Sequence, residues 1–225
     1  MTGSFLIYLN FIIAKNAKYD IIYYRVYRGS LYMRICVYGA ASPSIDAEYI
    51  NRVKDFGKEM AKRGHSLVFG GGKNGLMGAV ARGVHENGGE VLGVIPTFFI
   101  EQSAEVLYEH CDKVVETETM RERKQIMEDN ADAFIVVPGG IGTYEEFFEI
   151  LTSKQLCRHN KPIAIYNVLG FYDDIDSAMR NAIKKGFIKE LCLDLYMMSD
   201  NPDEVLKYVE APVTSFGTLK DFKEG

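Results

Sequence analysis

The 225-residue chain has no tryptophan and only four cysteines, Cys36, Cys111, Cys157 and Cys192. These stand far apart, with no C-x-x-C pair and no histidine at metal-ligand spacing. A disulfide-built scaffold or a zinc module is therefore excluded, and no metal is expected. The chain also lacks any extended Lys/Arg block: 26 Lys+Arg face 31 Asp+Glu, a net charge of −5. A polyanion finds no footprint on such a surface, so nucleic acid is set aside, although a local basic pocket can still hold one phosphate. The longest uncharged apolar stretch, Phe5 to Ala14, is roughly half of the ~20 residues that cross a bilayer. It also lacks the cationic leader and small-residue cleavage site of a signal peptide. A cytoplasmic protein without a membrane partner is expected. The histidines His65, His85, His110 and His159 form no paired motif and are expected on the surface or in loops, and no G-x-S-x-G elbow marks a serine nucleophile. What remains is ordinary globular composition, 47% hydrophobic and 25% charged, enough to bury a full core.

Residues 1–32 read as an appended extension. The apolar stretch is followed by KYDIIYYRVYRGSLYM, which has the pattern of neither a spacer nor a structural element, and the domain is expected to start at Met33. That domain spans 33–210, and 211–225 is a tail without a readable signal. From Arg34 onward, short apolar runs alternate with helical periodicity. The strand ICVYG leads to a helix from about Asp46, with Ile50, Val53, Phe56, Gly57, Met60 and Ala61 on one face. Next come the strand HSLVFGGG, a helix through Leu76, Val80 and Val84, the strands EVLGVIP and KVVET, and a helix in TMRERKQIMEDNAD. AFIVVPGG, a helix from Thr143 to about Cys157, PIAIYN, a helix near Tyr172–Lys185, and the pair LYMMSD and PDEVLKYV complete the order. Strands of four to six apolar residues separated by helices predict an α/β fold. It is a single doubly wound, Rossmann-like domain with a mostly parallel sheet and helices on both faces.

In such sheets ligands bind beyond the carboxyl ends of the strands. Three of those ends are rich in small residues: Gly39 to Ser44, Gly70-Gly71-Gly72-Lys73-Asn74-Gly75, and Pro138-Gly139-Gly140-Ile141-Gly142-Thr143. Glycine lets the backbone approach a ligand, and the free N–H groups of the following helix attract a phosphate. Three such ends together predict a phosphorylated ligand. Neither the dinucleotide fingerprint nor the P-loop pattern is met, because the first loop has only Gly39 and Lys73 is not followed by Ser or Thr. Hydride transfer and NTP hydrolysis drop back accordingly.

The third loop runs into Thr143-Tyr144-Glu145-Glu146. Thr143 and Glu146, three apart at a helix start, form a capping-box pattern. A carboxylate on the first helical turn beside a phosphate loop is also placed to face a sugar. In the preceding helix Met120, Arg123, Lys124, Met127 and Ala131 share a face, whereas Arg121 points away. Arg123 is thus the arginine held against the domain, either pairing with Glu116, Glu118 or Glu128 as a solvated helix charge or serving an anion site. The cysteines within strands and helices read as small buried hydrophobes.

Pro138-Gly139-Gly140-Ile141-Gly142-Thr143-Tyr144-Glu145-Glu146, preceded by Met120-Arg121-Glu122-Arg123-Lys124, resembles the paired P-G-G-x-G-T-x-x-E and M-x-x-R-K motifs of the Lonely Guy family. These are cytokinin-activating nucleotide phosphoribohydrolases, long labelled possible lysine decarboxylases. Gly70-Gly71-Gly72 with Gly75-Leu76-Met77-Gly78 is similar to a third family segment, and the likeness extends from Met33 to about Val209. The resemblance implies hydrolysis of the N-glycosidic bond of a nucleoside 5′-monophosphate, AMP or a cytokinin riboside 5′-monophosphate, to free base and ribose 5-phosphate. Arg123 and Glu146 would be the catalytic pair. Glu105, Lys124, Gly139, Gly140, Ile141, Gly142, Thr143, Tyr144, Glu145, Thr152, Gly71 and Gly72 would bind substrate. No cofactor is implied, and a homodimer or larger homo-oligomer is. Two other readings stand beside it. A decarboxylase would need pyridoxal phosphate on a desolvated lysine, for which Lys73 and Lys124 carry no local signature. A non-catalytic carrier of a nucleotide or of molybdenum cofactor would keep the glycine loops without needing Arg123 and Glu146.

Overall fold

The computed structural model describes residues 10–14, 22–27, 30–103, 105–213 and 217–223. Three short strands come first: β1 (Asn10–Ala14), β2 (Ile22–Tyr27) and β3 (Ser30–Tyr32), which form an antiparallel sheet of their own. The sequence reading found no element there. The strands follow β-propensity, since runs such as IYYRVY are built of β-branched and aromatic residues. Tyr32 ties the end of this segment to the main body through its hydroxyl, 3.0 Å from the Ser66 hydroxyl.

The main body then alternates as expected: β4 (Arg34–Tyr38), α1 (Ala47–Lys62), β5 (Ser66–Phe69), α2 (Gly75–His85), β6 (Val91–Pro96), α3 (Thr97–Glu101), β7 (Lys113–Thr117) and α4 (Met120–Asp129). The second half runs β8 (Ala133–Val136), α5 (Ile141–Gln155), β9 (Ile163–Tyr166), α6 (Asp173–Lys184), β10 (Met197–Ser199), α7 (Pro202–Glu210) and α8 (Leu219–Lys223). The seven strands lie in the order β10-β9-β8-β4-β5-β6-β7, all parallel. After β4 the chain winds outward through β5, β6 and β7, then returns to the other side of β4 with β8. The order therefore reverses between β4 and β8, and a crevice opens at their carboxyl ends.

Alternation along the strands divides the core in two. On β4, Ile35 and Val37 face α1, α2 and α7 with Phe56, Val80 and Val205, whereas Cys36 and Tyr38 face the opposite layer with Met127, Phe134 and Phe147. The α1–α2 contact depends on two glycines. A methyl group at Gly57 would stand 2.5 Å from the Val80 carbonyl oxygen, and one at Gly83 would collide with the Lys54 carbonyl. Their absence lets the two helix backbones touch.

Several local expectations are corrected. The tail holds α8, whose Phe222 is buried in the α4/α5-side core and whose start is fixed by Asp221 accepting from the Thr218 amide and hydroxyl. All four histidines lie in loops or on the surface as expected, although two of them turn inward from their loops, His65 fully buried and His159 half-buried. His65 is 1% exposed and its Nε2 lies 2.8 Å from Glu210; His159 reaches the Ile150 carbonyl at 2.9 Å, and burial lowers its pKa to about 4. Short apolar neighbourhoods around a single polar residue leave no periodic signature, so the sequence hid them. Of the cysteines, Cys36 and Cys192 are buried as expected, but Cys157 is exposed.

Candidate active site

The helix following each strand end decides which glycine loop can hold an anion, because a bound phosphate needs N–H groups that are not already used. At the first loop the Asp46 side chain caps α1 by accepting from the Glu48 amide. At the second, the Leu76 and Met77 amides at the start of α2 both donate to the Ala40 carbonyl, at 2.8 and 3.2 Å. The third differs. The α5 N-cap is Gly140, with no side-chain cap, and the first-turn amides of Ile141, Gly142 and Thr143 have no acceptor among the described residues. Space beside Gly140 and Gly142 is open for 4 Å, and both are exposed. Of the three predicted phosphate loops, only this one leads into a helix in which none of the first three amides has an acceptor among the described residues.

The same geometry removes the capping-box reading of Thr143 and Glu146. Helix α5 begins at Ile141, two residues earlier than the sequence indicated, so Thr143 is already in its third position and its side chain is buried over Gly139. A Cβ on Gly139 would occupy that space. Glu146 is free of any capping duty. A reciprocal side-chain cap lies instead at α4, where the N-cap Thr119 hydroxyl accepts from the Glu122 amide at 3.1 Å and the Glu122 carboxylate accepts from the Glu118 amide, one residue before the cap, at 3.0 Å.

Arg123 comes from α4 and crosses to the carboxyl ends of the neighbouring strands. Its Nε donates to the Val94 carbonyl at 3.1 Å and its Nη2 to the Gly70 carbonyl at 3.1 Å. The third corner, Nη1, lies 3.9 Å from Glu146, an ion pair too long to be a hydrogen bond. The Phe99 ring of α3 covers the guanidinium at 5.8 Å. None of the carboxylates expected on a solvated helix surface, Glu116, Glu118 or Glu128, pairs with it; the Val94 carbonyl within β6 and the Gly70 carbonyl just beyond β5 hold it. Gly70, absent from the predicted site, is the residue that admits it, because any side chain there would collide with Nη2. A run of three identical glycines gave no means of telling which one carried this contact.

Glu146 is 9% exposed. Desolvation pushes its carboxyl up to about 7, against the opposing pull of Arg123 and with repulsion from Glu145 and Glu105 adding to the rise. Glu105 is raised too, by its own burial, and is likewise drawn down by Arg123. A buried and a half-buried carboxylate thus both feel the one Arg123 cation. Glu105 packs beside Gly72, where a Cβ would stand 3.0 Å from its Oε2, and Gly71 adopts φ +81° in contact with Ile95. Gly71 and Gly72 shape the wall that carries Glu105.

Other predicted residues are placed differently. Lys124 bonds Glu145 at 2.5 Å and Glu149 at 2.7 Å, so two expected substrate ligands face each other. Tyr144 is half-buried and packs edge-on against Tyr172 at 6.0 Å. Thr152 is exposed, eleven residues beyond the α5 start and hence about 16 Å further along its axis, outside this chain's own crevice.

A free helix N-terminus at the reversal point of a parallel sheet, with a buried carboxylate–arginine pair one turn further in, marks the candidate site of a doubly wound α/β protein. The chain belongs to the family described as possible lysine decarboxylase, whose model matches residues 77–209. It is 40% identical over 189 residues to the protein of Oryza sativa subsp. japonica named cytokinin riboside 5′-monophosphate phosphoribohydrolase LOG, covering 84% of this chain and 77% of the relative. A Mycobacterium tuberculosis protein named cytokinin riboside 5′-monophosphate phosphoribohydrolase is 38% identical over 173 residues, covering 77% of this chain and 91% of its own. Among solved structures, the molybdenum cofactor carrier protein of Chlamydomonas reinhardtii matches with a TM-score of 0.59 at 19% identity, over 79% of this chain and 95% of that one. The molybdenum cofactor binding protein of Rippkaea orientalis gives 0.57 at 18%, over 79% and 94%. These last two share the Rossmann-like fold and carry no further argument.

Proposed function

We propose that the chain is a nucleoside 5′-monophosphate phosphoribohydrolase, cleaving AMP or cytokinin riboside 5′-monophosphates to free base and ribose 5-phosphate. The observation that carries this is Glu146: a buried carboxylate with no cap to make, beside Arg123 and one turn beyond three unused helix amides. Sequence relatives named for the same reaction support it.

The 5′-phosphate sits on the Ile141, Gly142 and Thr143 amides, where the helix dipole favours negative charge. Fixing that end lets remote binding energy position the glycosidic bond along the ribose. Cleavage develops oxocarbenium character at the anomeric carbon, and ionised Glu146 stabilises that charge and accepts the proton of the attacking water. The base leaves with a proton drawn from solvent, the hydroxyl of water completes ribose 5-phosphate, and Glu146 returns the proton that it accepted to solvent, so that the protons balance. Arg123, its other corners fixed on Gly70 and Val94, supplies the positive charge that keeps Glu146 ionisable in a desolvated place. Lys124, Glu145 and Glu105 border the ribose side.

Thr152 enters through a second copy of the chain. On α5, Ile141, Glu145, Phe148 and Thr152 recur at helical spacing on one exposed face, with Ile141 88% and Phe148 39% exposed. Pairing this face with another protomer's covers the apolar side chains and carries Thr152 to the partner's crevice, which makes a homodimer the working form.

The family's decarboxylase label does not suit the lysines. Lys124 is held in its charged form by Glu145 and Glu149, and Lys154, which burial lowers to about 8, lies about 12 Å along α5 from Glu146.

Chromatography after incubation with AMP and with isopentenyl-AMP tests the proposal. Free base and ribose 5-phosphate in equal amounts are expected. Nucleotide that binds and is recovered intact would move the protein to the carrier class.

A further inference from the structure

On the far side of the Glu105 wall lies a second cavity, of about 510 Å³, lined by residues that the hydrolytic site does not use. The wall is a short two-stranded ribbon. Lys73 donates to the Val106 carbonyl at 2.8 Å, Tyr108 donates to the Gly71 carbonyl at 2.8 Å, and Gly72 pairs with Leu107. Successive residues of an extended ribbon face opposite ways. Glu105 packs beside Gly72 towards Arg123, while Tyr108 is buried in the core on the α2 side.

The floor of the cavity is one face of α2. Asn74, Gly78 and Arg82 follow at intervals of four, and Gly78 leaves room for Arg82 to fold back and donate to the Lys73 carbonyl at 2.9 Å. His85 continues this face and stacks on His110, with ring centroids 5.1 Å apart and planes 12° from parallel, and Tyr108 meets both rings edge-on. Two fixed cations therefore converge on the same hollow as two imidazoles and a tyrosine. Among the described residues, neither Lys73 nor Arg82 lies within ion-pair distance of a carboxylate. Glu86, the nearby acid on α2, is taken by Lys54 at 2.7 Å, which leaves Glu109 as the only other acidic residue on the lining.

We propose that this cavity is a second ligand site, for a phosphomonoester. Lys73 and Arg82 hold the phosphate as charged donors, and the imidazole N–H groups of His85 and His110 add to the several donors that a phosphate accepts. The exposed imidazole rings present flat faces against which the sugar carrying that phosphate packs, with the buried Tyr108 supporting them edge-on from below. This site is separate from the α5 N-terminus and does not depend on the hydrolytic reading.

The four histidines make it directly testable, because the hydrolytic site contains none of them. Ring resonances of the full-length protein are followed by NMR during titration with inorganic phosphate, with ribose 5-phosphate, and with chloride at matched ionic strength. Saturable shifts confined to His85 and His110 are expected, with the interior His65 and His159 unmoved. Ribose 5-phosphate binds more tightly than inorganic phosphate. The substitution Lys73→Gln, at an exposed position, raises the dissociation constant about tenfold, the loss of one charge-assisted contact. Unchanged His65 and His159 signals report that this variant is folded. Absence of shifts, equal shifts with chloride, an unaltered constant in the variant, or phosphate binding as tightly as its sugar ester would each overturn the proposal.

Discussion

Glu146→Gln is expected to lower kcat on AMP by about 10²–10⁴-fold, the usual contribution of a positioned acid–base group, and at the same time to stabilise the folded protein above pH 7. The two effects share one origin. In the unfolded chain the carboxyl titrates near 4.5, and in the fold it is pushed up to about 7 by desolvation. A folded pKa above the unfolded one means that the native state binds the proton more tightly. Stability therefore falls as pH rises from about 4.5 to about 7, and above that the ionised carboxylate costs its full penalty. At roughly 1.4 kcal/mol per pKa unit, this is about 3 kcal/mol. Glutamine keeps the shape without the charge, so thermal unfolding at pH 8 should come at a higher temperature than for the native protein, and the difference should vanish near pH 4.5. A residue whose only duty was helix capping would behave otherwise: glutamine can still cap, leaving both activity and stability almost unchanged. Thermal melts at the two pH values together with a turnover assay separate the cases.

Arg123→Lys should be costly despite the conserved charge. The guanidinium spans two carbonyls, that of Val94 within β6 and that of Gly70 just beyond β5, and turns its third corner to Glu146. A lysine ammonium is a point donor on a flexible stem and cannot hold that fork. One buried carbonyl is left unsatisfied at about 1–3 kcal/mol, which for a chain of this size corresponds to a loss of roughly 2–12 °C in melting temperature. The charge also withdraws from Glu146, so the carboxyl rises further and less of it is ionised at neutral pH. Turnover at pH 7 should fall by about 10²-fold or more, with the pH dependence of the residual activity displaced upward. A variant that loses stability but keeps the native pH profile would show that Arg123 serves only to tie the strands together.

The sheet was legible because each buried strand is a short apolar run between amphipathic segments. Ile35 to Tyr38, Ser66 to Phe69 and Ala133 to Val136 all lie where the pattern put them. Arg123 was legible as an inward-facing residue from its spacing with Met127, but its partners were not, since backbone carbonyls carry no sequence signature. The start of α5 was misplaced because Ile141 looked like part of the glycine loop. That shift of two residues turned Glu146 from a supposed cap into an unencumbered carboxylate. The glycine-rich second loop looked equally suited to phosphate until the Ala40 carbonyl was found on its helix amides, a long-range contact that no local pattern encodes. Strands β1 to β3 and helix α8 were missed for lack of periodic context, although their β-rich and helical compositions match the elements that they form.

The central claim is that an ionised Glu146, held by Arg123, drives glycosidic cleavage. Its most direct test is the pH dependence of kcat/KM for AMP between pH 5 and 9, which reports groups on the free enzyme and on free AMP, whose phosphate loses its second proton at about 6 and is allowed for by an independent titration of the nucleotide. The account predicts a limb rising about tenfold per pH unit below a midpoint near 7, the value to which burial brings Glu146, and a plateau above it. A profile that is flat across this range, or that falls as pH rises through 7, would contradict it.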